Sequence, residues 1–118
     1  MSKFDPYYGK EADFQKTAAR YLDSLDVLWF HCPNGGTRNA REGASLKRQG
    51  VKAGVPDICI LEPKGEFNGL FIELKNEKGK LKVSQTVWLN RLQGRGYKVH
   101  VTNSLDEFLF IVDNYLNL

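Results

Sequence analysis

Two carboxylates and a lysine stand out because their chemistry and their spacing agree. Asp57 follows Pro56 at the start of an apolar run, and Glu73 and Lys75 bracket Leu74 near the end of a second run. Alternate residues of a strand share a face, so Glu73 and Lys75 project together, and an antiparallel partner can bring Asp57 beside them. Hydrolysis of a phosphodiester needs a hard cation, an activated water and positive charge where the transition state accumulates negative charge. Asp57, Glu73 and the Leu74 carbonyl are oxygen donors of the kind that magnesium or manganese takes while keeping several waters. Lys75 would hold or help deprotonate the attacking water and neutralise the phosphate. A carboxylate and a lysine two apart can equally be a surface ion pair, which stabilises little. The neighbours Leu70, Phe71, Ile72 and Leu74 favour chemistry, because so apolar a run is typical of a strand buried on both faces.

The elements that must position these residues follow from periodicity. Phe14, Ala18, Tyr21, Leu22 and Leu25 recur at helical spacing, which predicts an amphipathic helix from Lys10 to Leu25, and residues 27–31 read as a strand. Pro33, Asn34, Gly35 and Gly36 mark a turn, and a short basic helix is expected to run on to Gln49, closed by Gly50. Asp57–Leu61 and Leu70–Lys75, separated by Pro63, Gly65 and Asn68-Gly69, have the pattern of an antiparallel hairpin. Ser84 is expected to cap a helix that turns Val87, Trp88 and Leu92 inward and ends at Gly94, followed by a strand over Tyr97–Val101. Ser104 and Glu107 form a capping box that opens a last helix to about Leu116. This order predicts one α/β domain over residues 1–118, a central mixed sheet flanked by helices.

Bulk properties exclude other classes. A chain of 118 residues with 42% hydrophobic and 26% charged residues can bury a core of its own. It has no run approaching the roughly 18 apolar residues of a membrane span and no apolar leader, so a cytoplasmic protein without a membrane partner is expected. Cys32 and Cys59 stand outside any CxxC pattern and are expected as buried free thiols; a zinc site from His31, Cys32, Cys59 and His100 matches no finger or ribbon spacing. The net charge of +3 is unevenly spread: Arg38, Arg41, Lys47, Arg48 and Lys52 face Glu42 alone, and seven basic residues from Lys75 to Lys98 face Glu77 alone. Such segregation is the footprint of a polyanion-binding face, and a solvated helix surface with an accidental bias explains it about as well.

Taken together, Gly50-Val-Lys-Ala-Gly54-Val-Pro56-Asp57, Gly69-Leu-Phe-Ile-Glu73-Leu-Lys75, Gly79-Lys80-Leu81, Ser84-Gln85, Trp88 and Gly96-Tyr97-Lys98-Val99 resemble the virus-type replication-repair nucleases. These are the VRR-NUC branch of the PD-(D/E)xK superfamily, and the resemblance runs from Glu11 to the final helix. It implies a restriction-endonuclease-like core with Asp57, Glu73, Lys75 and Gln85 as catalytic residues. Gln85 would orient Lys75 or a phosphate. The resemblance also implies a first-helix glutamate near the metal, matched by Glu11 with Gln15 one turn later; Asp13 is the other candidate, and both are also ordinary helix N-terminal acids. Asn34 and Arg38 match a loop that touches the phosphate backbone, although Asn-Gly-Gly is equally a tight turn.

The implied activity is that of a magnesium- or manganese-dependent endonuclease acting on branched or duplex DNA, similar to Holliday-junction resolvases. Coordinated cuts across a junction would call for a two-fold homodimer, with Trp29, Phe30, Trp88 and the last helix as candidate interface or simply core. A flap or general nicking nuclease carries the same catalytic set. A DNA-binding module without catalysis would carry the same basic face, and a metal-dependent nicking assay separates it from the enzymes.

Overall fold

The apolar periodicities resolve into alternating helices and strands in the computed structural model, which describes residues 11–33, 39–75 and 79–118 without the side chains of Glu11 and Ala12. The described elements are α1 (Glu11–Ser24), β1 (Trp29–His31), α2 (Ala40–Arg48), β2 (Ile58–Ile60), β3 (Leu70–Leu74), α3 (Val83–Gln93), β4 (Lys98–Thr102) and α4 (Leu105–Leu116). The strands form a four-stranded sheet in the order β1-β2-β3-β4. β2 pairs antiparallel with both β1 and β3, whereas β4 lies parallel to β3 and is reached through α3. This is the mixed, helix-flanked sheet expected, with the central hairpin in place. No described helix is long and apolar enough to cross a membrane.

Register decides which side chains share a face. Ile58 lies opposite Ile72 and Ile60 opposite Leu70. Alternation therefore places Ile58, Ile60, Leu70, Ile72 and Leu74 on one face and Cys59, Phe71 and Glu73 on the other. The first face is sealed by Phe14, Ala18 and Leu22 of α1 and by Leu105, Phe108 and Val112 of α4 in one apolar cluster. Each fully buried Leu, Ile or Phe contributes about 1.5–3 kcal/mol. Phe14 and Phe108 meet edge to face with ring centroids 6.2 Å apart, which locks the two helices together. On the second face Phe71 packs edge-on against Tyr97 at 5.4 Å.

Helix boundaries follow the capping chemistry, with one shift. Ser104 accepts the Glu107 N–H as expected, and Gly50, in the left-handed region at φ 106°, closes α2 after its C-cap Gln49. Helix α3 begins earlier than its Ser84 signal implied. Its N-cap is Lys82, because Gln85 at N3 reaches back and its Oε1 accepts the Lys82 N–H at 2.8 Å. The inward stripe shifts as well: Leu89 is buried with Leu92, whereas Val87 is 46% exposed. Leu89 lies three residues from Leu92 and shares its face, while Val87 lies five away and points elsewhere. Cys59 is buried as expected, but Cys32 is only half-buried, because it lies just beyond the paired end of edge strand β1.

Candidate active site

Asp57, Glu73 and Lys75 converge through sheet register. Extending the β2–β3 pairing by one step beyond Ile58 and Ile72 sets Asp57 opposite Glu73, so their side chains rise from the same face. Asp57 is fixed by the Leu74 N–H, which donates to Oδ2 at 2.7 Å. Lys75 Nζ lies 3.5 Å from Glu73 Oε2, and the Lys75 N–H donates to the Thr102 carbonyl at 2.8 Å. The backbone amides on either side of Leu74 thus tie the strand end to Asp57 on one side and to β4 on the other.

Gln85 completes the arrangement from α3. Its amide has two ends with separate duties: Oε1 caps the helix at Lys82, and Nε2 donates to Glu73 Oε2 at 3.1 Å. A flipped amide would set its NH2 against an N–H and its carbonyl against a carboxylate, so the orientation is fixed. The structure therefore places Gln85 on Glu73, not on Lys75 as the resemblance allowed.

Burial and crowding make this site electrostatically incomplete. Glu73 is only 4% exposed. Its carboxyl is pushed up to about 8, first by burial and then by the negative charge of Asp57, against the opposing pull of Lys75. With both carboxyls ionised the two would outnumber the one lysine, and the donors are all hard oxygens. That set fits a divalent cation of the magnesium type, which would reverse the penalty on ionising Glu73. Among the described residues no group of three or more His, Cys, Asp or Glu side chains could hold a metal. Any further ligand is water, backbone carbonyl or a side chain outside the described set, as that of Glu11 is. One helical turn after Glu11, the buried Gln15 Oε1 has no hydrogen-bond partner, an acceptor left over on the helix face where a metal-facing group is expected. Helix α1 packs its apolar stripe on the face opposite Glu73.

Two positioning features were not singled out as functional in the sequence. Gly54 has φ +92°, and a Cβ there would lie 2.4 Å from the Ser84 carbonyl oxygen and 2.9 Å from the Gln85 nitrogen. The loop leading to Asp57 thus rests directly on the first turn of α3, which holds the acidic pair and its glutamine together. Gly54→Ala is expected to lower stability by roughly 2–4 kcal/mol, or a thermal midpoint by on the order of 10 °C, because strain and clash add. Gly43→Ala serves as the control: nothing lies within 4 Å of its added methyl. A helical Gly→Ala change there should raise the midpoint slightly; equal midpoints for both variants would discount the Gly54 contact. His31, given no role beside the acidic pair in the sequence, has Nδ1 2.8 Å from the Asp57 carbonyl. With Cys32, whose N–H donates to the same carbonyl at 2.8 Å, it holds the Asp57 backbone from β1.

The basic residues separate into groups. Arg41, Lys47, Arg48 and Lys52 are exposed on α2 and the loop after it, and α2 buries none of its residues completely. Asn34 and Arg38 lie outside the described residues.

A helix-flanked mixed sheet with an acidic pair and a lysine at the end of its central hairpin has the architecture of a restriction-endonuclease-like α/β nuclease core. The profile of the VRR-NUC domain matches residues 10–106, and the chain belongs to that nuclease-type family. Two solved structures are similar in fold. One, described as a VRR_NUC domain protein, superimposes with a TM-score of 0.78 at 24% identity over 92% of this chain and 88% of its own. The other, described as a VRR_NUC domain, gives 0.58 at 24% identity over 89% and 96%. No curated protein matches.

Proposed function

We propose that the protein is a metal-dependent, structure-specific DNA endonuclease that hydrolyses phosphodiester bonds in branched DNA. The observation that carries this reading is the in-register meeting of Asp57 and Glu73, with Lys75 and Gln85 both on the Glu73 carboxylate. Asp57, Glu73 and the Leu74 carbonyl would hold magnesium or manganese, which when bound polarises the scissile phosphoryl group. Lys75 sets its ammonium where the attacking water and the equatorial phosphate oxygens gather, and so offsets the negative charge of the transition state. Gln85 keeps the Glu73 carboxylate aimed by donating to one of its oxygens. Arg41, Lys47, Arg48 and Lys52 supply phosphate contacts that position DNA without reading bases. Two such domains about a two-fold axis would place paired cuts across a four-way junction.

Cleavage of labelled four-way junction, flap, splayed-arm and linear duplex, with magnesium, manganese or chelator, tests the reading. Metal-dependent cutting of branched substrates ahead of linear duplex is expected; no cutting of any substrate with either metal overturns it. Lys75→Met should bind metal about as well as wild type and lose roughly 10²–10³-fold in turnover, since its charge acts on the transition state. A Lys75→Met enzyme that cleaves normally would reduce the lysine to a structural ion pair.

A further inference from the structure

Helix α3 carries a second array that the acidic pair does not use. One turn beyond Gln85, Trp88, Arg91 and Leu92 follow at spacings of three and four, one stripe along the helix, and Arg95 extends it just past the C-cap Gly94. Alongside lies a hollow of about 420 Å³ lined by Lys52, Trp88, Arg91, Leu92 and Arg95. A neighbouring hollow of about 340 Å³ shares Lys52 and Trp88 and reaches α2 through Leu46 and Lys47. Trp88 is half-buried at the junction of the two, whereas Lys47, Lys52, Arg91 and Arg95 are exposed around it. Among the described residues neither lining contains a carboxylate, and none of these four cations is in an ion pair.

An aromatic wall inside a ring of cations suits a ligand that is planar and anionic at once. We infer that this hollow binds an unpaired nucleotide of the DNA substrate, its base stacked on the Trp88 indole and its phosphates held by Lys52, Arg91 and Arg95. Stacked duplex presents phosphates but no free base face, so the cations alone would serve it and the indole would be idle. A nucleotide strand without pairing offers both, and a hollow of this size accommodates one base with its sugar. Trp88 stands about 4.5 Å further along the α3 axis than Gln85, the residue whose amide donates to Glu73. The inference deepens the nuclease reading and rests on it for what happens next: branches with an unpaired arm, such as flaps and splayed arms, are bound ahead of fully paired junctions.

The experiment measures binding without turnover, so that it stands apart from cleavage. Trp29 and Trp88 are the two tryptophans of the chain, and Trp29→Phe leaves Trp88 as the reporter. That protein is titrated in chelator with an oligothymidylate of about 12 nucleotides, reading Trp88 emission and, with a labelled oligonucleotide, anisotropy. Saturable quenching of Trp88 with the same midpoint as the anisotropy is expected, and blunt duplex should leave the emission unchanged. Trp88→Leu in the wild-type background should weaken binding about tenfold, with Trp88→Phe recovering most of the loss because a ring remains. Arg91→Ala with Arg95→Ala should weaken binding and reduce the salt slope by about 1.4, the share of two phosphate contacts on a single strand. Full binding with unchanged Trp88 emission, or wild-type affinity in folded Trp88→Leu protein, overturns the inference. Quenching that persists in a protein unable to cut any substrate with metal would leave this site standing and remove the nuclease reading instead.

Discussion

Glu73→Gln and Asp57→Ala should each yield a folded protein that cleaves at less than about one-thousandth of the wild-type rate. Each change removes a charged oxygen donor from the site where the cation would sit, and cation polarisation of a phosphoryl group is worth several kcal/mol, with about 1.4 kcal/mol per tenfold in rate. Folding should survive for a reason specific to Glu73. Its carboxyl is 4% exposed and faces Asp57 across the strand pair, so the neutral amide relieves a penalty while leaving the volume and the Gln85 contact in place. The check is single-turnover cleavage at saturating metal beside a denaturation curve. Cleavage within tenfold of wild type by either folded variant would remove Asp57 and Glu73 from the proposed chemistry.

The second large effect is a dependence of stability on pH that metal should abolish. Glu73 ionises near its ordinary value of 4.5 in the unfolded chain and at about 8 in the folded one. Between those values the folded state holds a proton that the unfolded state has released, so this group's contribution is complete below about 4.5 and is lost as pH rises through about 8. Metal-free wild-type protein should therefore lose stability, on the order of a few kcal/mol, relative to Glu73→Gln across that window. Magnesium favours the carboxylate and must displace the proton, so it should stabilise the wild type more at about pH 8 than at about pH 6, releasing protons as it binds at the lower pH. Denaturation of both proteins in chelator and in magnesium measures this. Parallel pH curves for wild type and Glu73→Gln in chelator would show that Glu73 is not held protonated.

Much of this site was legible in the sequence because its key residues sit where pattern and chemistry reinforce each other. The Pro56-Asp57 and Glu73-Leu74-Lys75 segments lie in apolar runs with clear turn residues between them, so both the hairpin and the shared face could be anticipated. The start of α3 was misplaced because two capping signals compete there, and the glutamine at N3 prevails over the Ser84 hydroxyl. What Gln85 touches was not legible, because that depends on how α3 crosses from β3 to β4 over the acidic face. In the sequence Gly54 stood out only as part of the motif of residues 50–57; the approach of a distant helix carbonyl is what gives its missing Cβ a purpose. The Trp88 hollow was hidden for the same reason, since it joins α2, the loop after it and α3, three segments whose charge bias alone is equally well explained by solvation.

The antiparallel β2–β3 pairing also bears on how the chain reaches its native state. Asp57 and Glu73 are brought together by a hairpin, the nearest contact in sequence that this sheet makes, whereas β4 must wait for a whole helix to form and cross over. Local pairings form early in folding and long-range parallel ones late. The two carboxylates therefore meet before Gln85 and the Thr102 carbonyl are in place to hold Glu73 and its strand. At that early step like charges oppose the pairing that apolar neighbours drive. The apolar residues of that hairpin, Ile58, Ile60, Leu70 and Ile72, thus do more than fill a core: they outweigh, at the first step, the repulsion that the chemistry will later need.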